Sequence, residues 1–252
     1  MWLEFSALTD IGQLRANNED AVMVDTEHGL ALLADGMGGY NAGEVASALA
    51  LATISSELAD WLEHTAVGAS VEDLQRAMET CVGNANRKIF DTANNDENCA
   101  SMGTTLVMAV AHGPTLVIGH IGDSRAYRWR AGMLRQITRD HSLLQEQIDM
   151  GLLTPQEAAR SPHASLITRA LGVEDTVRLD LQQAPMEPGD IYLLCSDGLN
   201  EMVSDADIAA VLDSPEPLNR LTRRLIDMAN AAGGHDNVSA ALIRTSDMPK
   251  KS

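Results

Sequence analysis

The sequence lacks the features that mark membrane, secreted and nucleic-acid-binding proteins. No uninterrupted apolar run approaches the roughly 20 residues that span a bilayer. The first residues show no basic segment followed by an apolar one, as a secretory signal would. The chain has 18 Lys and Arg against 36 Asp and Glu, a formal charge of −18. This balance argues against nucleic acid or a membrane surface as a partner.

Cysteine is also scarce, and its spacing excludes two kinds of site. Cys81, Cys99 and Cys195 are odd in number and form no C-x-x-C pair, which favours a reducing, cytoplasmic location. Residues 81–87 do fit C-x5-R, the phosphate loop of cysteine-dependent phosphatases. That loop must wrap backbone amides around an anion, whereas these residues continue a helical apolar repeat. We therefore interpret Cys81 as a core residue.

The remaining pattern predicts one domain over residues 1–245, because no repeat or Pro/Gly/Ser-rich linker divides the chain. A length of 252 residues with 45% hydrophobic content is enough for one full core. Residues 143–165 predict a helical insertion, and residues 246–252 a disordered tail. Apolar periodicity predicts helices over 41–62, 70–89, 208–212 and 218–232, and strands over 3–9, 21–25, 30–34, 104–110, 115–121, 126–130, 134–137, 177–181, 191–195 and 238–244.

Two of these strands run directly into an Asp-Gly pair. Residues 30–34 precede Asp35-Gly36, and residues 191–196 precede Asp197-Gly198. Asp-Gly is a common turn dipeptide, but its repetition after two buried strands favours two sides of one acidic site. Asp123 and Asp236 also stand at strand boundaries. We therefore expect four carboxylates to meet.

Four carboxylates gathered without Lys or Arg would repel one another, so a bound cation is the natural compensation. Oxygen ligands without a Cys or His cluster favour Mg²⁺ or Mn²⁺ over Zn²⁺. Two such ions can activate a bridging water for in-line attack on phosphorus. The Arg15 guanidinium can bind the phosphate oxygens, and its neighbours Glu19 and Asp20 can support a metal shell. A solvated turn is the alternative for this polar loop.

A nucleotide-binding enzyme is a rival interpretation of strand, Gly-rich loop and helix. The chain contains no G-x-x-x-x-G-K-[ST] motif. Asp35, at the end of the strand, would also face the phosphates with the wrong charge. The pattern therefore favours metal-dependent phosphate chemistry.

Taken together, the motifs resemble those of the metal-dependent serine/threonine protein phosphatases (the PPM family, protein phosphatase type 2C), in a compact bacterial form. They occur in the family's order over nearly the whole chain. They are Arg15-x-x-Asn18-Glu19-Asp20, Asp35-Gly36-Met37-Gly38-Gly39, Gly103-Thr104-Thr105, Gly122-Asp123-Ser124-Arg125, Asp140-His141-Ser142, Thr168-Arg169-Ala170-Leu171-Gly172, Ser196-Asp197-Gly198-Leu199 and Asp236-Asn237.

The resemblance implies an α+β fold: a four-layer α-β-β-α sandwich of two antiparallel sheets flanked by helix pairs. The metals would lie at one end, between the sheets, and residues 143–165 would form the family's flap. Asp35 would bridge two tightly bound Mn²⁺ or Mg²⁺ ions. Asp197 and Asp236 would complete the first site, and the Gly36 carbonyl would serve the second.

Further roles follow from the same resemblance. Arg15 would bind phosphate, Glu19 and Asp20 would act through water on the metals, and Asp123 with Asp197 would hold a third, weaker ion. Some members of the family have a His, proposed as general acid, where this chain has Met37. Met cannot donate a proton, so that role is vacant or filled by water on the metals. His141 is a candidate for it, with a structural role as the alternative.

The implied activity is hydrolysis of phosphoserine and phosphothreonine in proteins, in opposition to a partner Ser/Thr kinase, by a monomeric cytoplasmic enzyme. A catalytically inactive scaffold or regulatory binding module of the same fold is the alternative. Such a scaffold would be expected to lose metal-binding carboxylates. All four are present here.

Overall fold

Two antiparallel sheets form the centre of the protein, seen in a computed structural model that describes residues 1–39, 42–65, 67–154, 157 and 166–247. The first sheet contains β1 (Trp2–Asp10), β7 (Arg125–Arg130), β8 (Met133–Gln136), β10 (Ile191–Cys195) and β11 (Val238–Ser246). Its strand order is β1-β11-β10-β7-β8. The second contains β2 (Asp20–Asp25), β3 (Leu30–Met37), β5 (Leu106–His112), β6 (Thr115–Ile121) and β9 (Asp180–Pro185). Its order is β2-β3-β5-β6-β9, and a short strand, β4 (Gly103–Thr104), pairs with the end of β3.

Helices cover the outer face of each sheet. The described helices are α1 (Ala42–His64), α2 (Val71–Asn95), a 3-10 turn (Glu97–Cys99), α3 (Leu143–Asp149), α4 (Asp197–Asn200), α5 (Asp205–Leu212) and α6 (Leu218–Ala231). Helices α1 and α2 share a buried apolar cluster with β3 and β5. Helices α5 and α6 share another with β10 and β11. A third cluster lies between the two sheets. These three cores confirm the four-layer α-β-β-α sandwich.

The uninterrupted apolar run in β3 follows from this layering. Leu32 points into the core beneath α1 and α2, whereas the adjacent Leu33 points into the core between the sheets. A strand that is buried on both faces needs apolar residues at every position. Within the described residues, α1 is also the one helix long and apolar enough to cross a membrane by length and composition. Its buried residues pack in the α1–α2 core, as in the core helix of a globular domain.

The strands lie within two residues of the expected ranges except in three places. Strand β3 does not end at residue 34, because Asp35 pairs with Asp20 of β2 and the next two residues pair with β4. The strand expected over 104–110 is divided at Thr105, between β4 and β5. The last strand of the second sheet runs from Asp180 to Pro185 rather than over 177–181. Its backbone pairs with β6, and two glutamines in it hide the apolar alternation.

Part of the expected helical insertion lies outside the described residues. Helix α3 covers its first turns, with Ser142 as N-cap. At Thr154 the backbone N–H and the hydroxyl both donate to the Glu157 carboxylate (2.8 and 2.7 Å), as expected for a capping box. Residues 155, 156 and 158–165 are not described, nor are Asn41, expected to begin the first long helix, or residues 248–252 of the expected tail.

Candidate active site

The carboxylates expected to meet come from four elements and lie at one end of the sandwich. Asp35 belongs to β3, Asp123 to the turn between β6 and β7, and Asp197 to the first turn of α4. Asp236 lies two residues before the start of β11. Burial raises the pKa of Asp35 well above its usual value, and the charges of Asp20, Asp197, Asp123 and Asp236 raise it further. The structure therefore brings these charges close enough to act on one another.

Asp35 is fixed by backbone contacts on both sides. Its antiparallel partner in β2 is Asp20. On the other side, the Asp35 N–H donates to Thr105 Oγ1 (3.0 Å) and the Thr105 N–H donates to the Asp35 carbonyl (2.9 Å). The Thr104 hydroxyl donates to the same carbonyl (2.9 Å). The interruption between β4 and β5 thus serves to hold Asp35 in position.

Asp197 stands where β10 turns into α4. At the next residue, Gly198, the backbone lies so close to that of Asn237 that no side chain fits, since a Cβ there would lie 2.0 Å from the Asn237 carbonyl oxygen. The Ser196 hydroxyl donates to Asp20 Oδ2 (2.8 Å) and accepts from the Ser239 N–H (3.0 Å). This serine therefore joins β2, β10 and β11 directly beneath the carboxylates.

Asp123 is 8% exposed in its turn. Gly122 has a φ of +104°, and a Cβ there would lie 2.7 Å from Thr105 Cβ, so the turn needs glycine. Burial raises the pKa of Asp123 to about 6, with a further contribution from Asp140. Asp140 itself is bound to Arg125 through Nε (3.0 Å to each oxygen) and Nη2 (2.7 Å). Arg125 is thus engaged by Asp140 rather than by Asp123.

Arg15 does reach the carboxylates, which corrects the expectation that they gather without Lys or Arg. Its Nη2 lies 2.5 Å from Asp236 Oδ2, and this hydrogen bond raises the pKa of the guanidinium. The loop that carries Arg15 is anchored nearby, because the Gln13 N–H donates to the Gly234 carbonyl (2.8 Å). Half of the Arg15 side chain remains exposed, so it borders both the acidic group and the solvent.

The donor set fits divalent cations. In the part of the chain that the structure describes, one oxygen each of Asp20, Asp123 and Asp197 is buried and accepts no hydrogen bond. Burial raises the pKa of Asp20 to about 6 and that of Asp197 well above its usual range. Buried carboxylate oxygens without donors are costly unless they are protonated or bind a cation. Oxygen ligands of this kind suit Mg²⁺ or Mn²⁺.

The expected ligand set of Asp35, Asp197 and Asp236 does not close around one point in this conformation. Among the described residues, no three His, Cys, Asp or Glu side chains are grouped to hold one ion. Asp236 Oδ2 is bound to Arg15, so Arg15 competes with a metal for this oxygen. Which oxygens bind each ion therefore stays a prediction, as does the role of the Gly36 carbonyl.

Glu19 and Asp20 lie next to Asp35 and Gly36. The Gly36 N–H donates to the Glu19 carbonyl (3.1 Å), and the Glu19 side chain lies against Gly43 at the start of α1. Burial raises the pKa of Glu19, and nearby Asp236 raises it further, whereas Arg15 lowers it. The expected role of this pair, to act through water, remains a prediction.

His141 is tied into the protein on both ring nitrogens. The Gly122 N–H donates to Nδ1 (3.0 Å), and Nε2 lies 3.2 Å from Asp180 Oδ2 and 3.0 Å from Arg169 Nη1. Its ring lies 4.6 Å from that of His120, and burial lowers its pKa. These contacts favour the structural role over general-acid chemistry. Met37 ends β3, and its thioether has no proton to supply.

The C-x5-R segment lies inside α2, as its apolar periodicity predicted. Cys81 is 5% exposed. Burial raises the pKa of its thiol to about 12, and the nearby Glu57 raises it further. A helix cannot wrap its amides around an anion, and a thiol with this pKa is not a nucleophile at neutral pH.

Two contributors to this end of the molecule were given no role from the sequence, although Asn237 belongs to the Asp236-Asn237 motif. Asn237 is buried, accepts the Glu19 N–H at Oδ1 (2.8 Å) and donates to the carbonyls of Ile11 (2.9 Å) and Asn17 (3.0 Å), so it holds the Arg15 loop. Glu201 follows α4, and its charge raises the pKa values of Asp123 and Asp197 after the larger effect of burial. Asn237 adjoins Asp236 in sequence, whereas nothing in the pattern around Glu201 indicated its position.

Comparison with known proteins agrees with this geometry. The family model for protein phosphatase 2C matches residues 13–243. The serine/threonine phosphatase Stp of Listeria innocua is 36% identical over 245 residues, which cover 96% of this chain and 96% of that protein. The serine/threonine protein phosphatase PstP of Mycobacterium tuberculosis is 41% identical over 241 residues, which cover 95% of this chain and 44% of PstP.

Solved structures are similar over the same range. A crystal structure of M. tuberculosis PstP superposes with a TM-score of 0.90 at 39% identity, covering 98% of this chain and 100% of that one. A second structure, the catalytic domain of PstP in complex with two manganese ions, has a TM-score of 0.86 at 39% identity and covers 97% of this chain and 99% of the other. The chain described here belongs to the protein phosphatase 2C family.

Proposed function

We propose that the protein is a metal-dependent protein-serine/threonine phosphatase. The observation that carries this proposal is the group of buried carboxylates with unpartnered oxygens next to the Arg15 guanidinium. Family membership gives independent support, since relatives that align over nearly the whole chain are named serine/threonine phosphatases. The inactive-scaffold alternative is not supported, because every carboxylate expected to bind metal is present and lies at this one end.

Asp35, Asp197 and Asp236 would hold one Mn²⁺ or Mg²⁺ ion, and Asp35 with the Gly36 carbonyl a second. Asp123, with Asp197, would hold a third and weaker ion. Bound there, the metals would supply Lewis-acid activation of water and charge compensation for the phosphoryl group. The structure of PstP with two manganese ions supports this choice of metal.

The protein's own residues would position the phosphate and the ligands. The planar fork of Arg15 is suited to two phosphate oxygens, and its half-exposed side chain can turn from Asp236 towards them. Ser196 orients Asp20 beside Asp35, so the oxygen of Asp20 that accepts no hydrogen bond stays free for a water at the metals.

The substrates would be phosphorylated proteins, in a cytoplasmic signalling process that opposes a partner Ser/Thr kinase. Residues 1–245 would act as a single monomeric domain in which residues 143–165 form a flap. The charge of −18 supports the absence of nucleic acid and of anionic membranes among the partners.

The first test is metal dependence. The protein should lose all hydrolysis of p-nitrophenyl phosphate and of a phosphothreonine peptide after treatment with excess EDTA and dialysis, and Mn²⁺ or Mg²⁺ should restore both activities. The rates are measured before chelation, after it, and after metal is added back. Undiminished turnover in EDTA would refute the proposal.

A second prediction concerns Arg15. Arg15→Ala should lower kcat/KM by about 10- to 100-fold, chiefly by raising KM, since one charge-assisted hydrogen-bond group to phosphate is lost. Arg15→Lys should recover only part of this, because a point charge lacks the planar fork. Mn²⁺ affinity, measured by calorimetry, should not fall, because Asp236 loses a competing partner. Unchanged KM, kcat and phosphate inhibition would assign Arg15 to structure alone.

A further inference from the structure

A cleft of about 730 Å³ opens next to Met37, two residues beyond Asp35 on β3. Its lining includes Met37, Leu166, Arg169, Val173, Glu174 and Arg178. Leu166 and Val173 are 51% and 58% exposed, so the cleft presents apolar side chains to solvent. Its size is in the range of ligand pockets, which makes it large enough for a few residues of an extended peptide.

The walls of this cleft are held by the core. Leu171, between two lining residues, exchanges two backbone hydrogen bonds with Thr104 (2.8 and 3.1 Å). The next residue, Gly172, donates its N–H to Asn86 Oδ1 (2.8 Å), and Asn86 Nδ2 donates to the Glu174 carbonyl (3.0 Å). The cleft is therefore formed before any ligand arrives, which reduces the entropy lost on binding.

Two short paths join the cleft to the proposed catalytic centre. Met37 lies on the same strand as Asp35, two residues further on. On the other side, Arg169 Nη1 lies 3.0 Å from His141 Nε2, and His141 accepts the N–H of Gly122, the neighbour of Asp123. A phosphorylated residue at the carboxylates would therefore have its neighbouring residues at the mouth of this cleft.

The cleft is less acidic than the chain as a whole. Its described lining holds two arginines and one glutamate, whereas the whole protein carries a formal charge of −18. Arg169 is engaged, since its Nη1 lies 2.7 Å from Asp180 Oδ1. Arg178 is exposed and makes no ion pair with any carboxylate in the described part of the chain. It is the positive group left available to a ligand.

We propose that this cleft binds the peptide segment next to the phosphorylated residue, and that Arg178 selects substrates with an acidic side chain in that segment. The inference rests on the proposed phosphatase activity and adds a substrate class to it. Leu166 and Val173 would contact the apolar parts of the same segment. An acidic neighbour would otherwise be repelled by a strongly acidic protein, so a local arginine changes which phosphoproteins are accepted.

The test uses two phosphothreonine peptides that differ only in carrying Glu or Lys two and three residues on either side of the phosphothreonine. With the Mn²⁺-loaded protein at 150 mM salt, the Glu peptide should have a kcat/KM about three- to five-fold higher, the range expected for an exposed charge pair. Arg178→Gln should remove the preference for the Glu peptide, leaving at most the preference for Lys expected of an acidic protein, and Arg178→Glu should strengthen the preference for Lys. The preference should also shrink at 1 M salt.

Arg220→Glu is the matched control, because it makes the same change of charge at an exposed position on α6, outside the cleft. It should leave the peptide ratio as in the unmodified protein. Equal hydrolysis of the two peptides by the unmodified protein, or the same ratio in Arg178→Glu and Arg220→Glu, would overturn the inference while the phosphatase activity stands. Failure to hydrolyse any peptide or p-nitrophenyl phosphate would instead overturn the proposed function.

Discussion

Replacing Asp197 by Ala is expected to abolish turnover while leaving a protein that folds. Asp197 has a buried oxygen without a hydrogen-bond donor and follows a serine that ties three strands together. We therefore expect its carboxylate to bind a cation rather than to make a structural contact. Removing a metal ligand deprives the phosphoryl group of charge compensation and the water of activation, so kcat should fall by at least about 10³-fold.

The measurement is kcat on p-nitrophenyl phosphate, together with calorimetric titration of Mn²⁺. Asp236→Ala should likewise remove most activity and weaken Mn²⁺ binding, and it also releases Arg15. Asp227→Ala, an exposed carboxylate on α6, is the control and should change neither quantity. The metal-free Asp197→Ala protein should unfold at a temperature no lower than the unmodified protein, because a buried repulsive charge is gone. Near-normal rates in Asp197→Ala would contradict the assignment.

The four-layer fold was predictable mainly through the family resemblance, and local patterns supplied the order of the elements. The run in β3 indicated a strand buried on both faces, but its end could not be placed, because the pairing of Asp35 with Asp20 is a long-range property of the backbone. In β9 the pairing with β6 determines the strand, whereas the glutamines in it conceal the period of two. Strand limits that depend on partners are hidden from a local pattern.

The candidate site was also predictable only in part. The apolar runs indicated the carboxylates, because each of the four lies inside or next to the end of a strand, although Asp35 lies within β3 and not after it. The contact between Arg15 and Asp236 could not be predicted, since it joins residues 221 positions apart. The position of Glu201 depends on where the turn after α4 lies, and the apolar pattern of the sequence does not indicate this. Sequence therefore predicted which groups meet better than how they pair.

The metal-free protein is expected to become less stable as the pH rises from 5 to 7.5, and Mn²⁺ should reverse this trend. Burial raises the pKa values of Asp20 and Asp123 to about 6, and those of Asp35 and Asp197 well above the usual range. Each of these pKa values is higher in the folded protein than in the unfolded chain, so above about pH 4 the folded protein binds more protons than the unfolded chain does. The free energy of unfolding therefore falls as these protons leave, by up to about 1.4 kcal/mol per unit of pKa difference.

Metal binding requires the ionised carboxylates, so protons and Mn²⁺ compete for the same oxygens. The increase in unfolding temperature caused by saturating Mn²⁺ should thus be about 5–10 °C larger at pH 7.5 than at pH 5, the size expected for a difference of a few kcal/mol in a chain of this length. Thermal unfolding of chelated and Mn²⁺-loaded samples at both pH values measures this increase.

Subtracting the unfolding temperature of the chelated sample from that of the Mn²⁺-loaded sample removes the contribution of titratable groups remote from the site. His28, whose hydrogen bond to Asp25 raises its pKa, is such a group. Asp227→Ala should reproduce the pH dependence and Asp197→Ala should lose most of it. An Mn²⁺ effect of equal size at pH 5 and pH 7.5 would show that these carboxylates are not the groups that bind the metal.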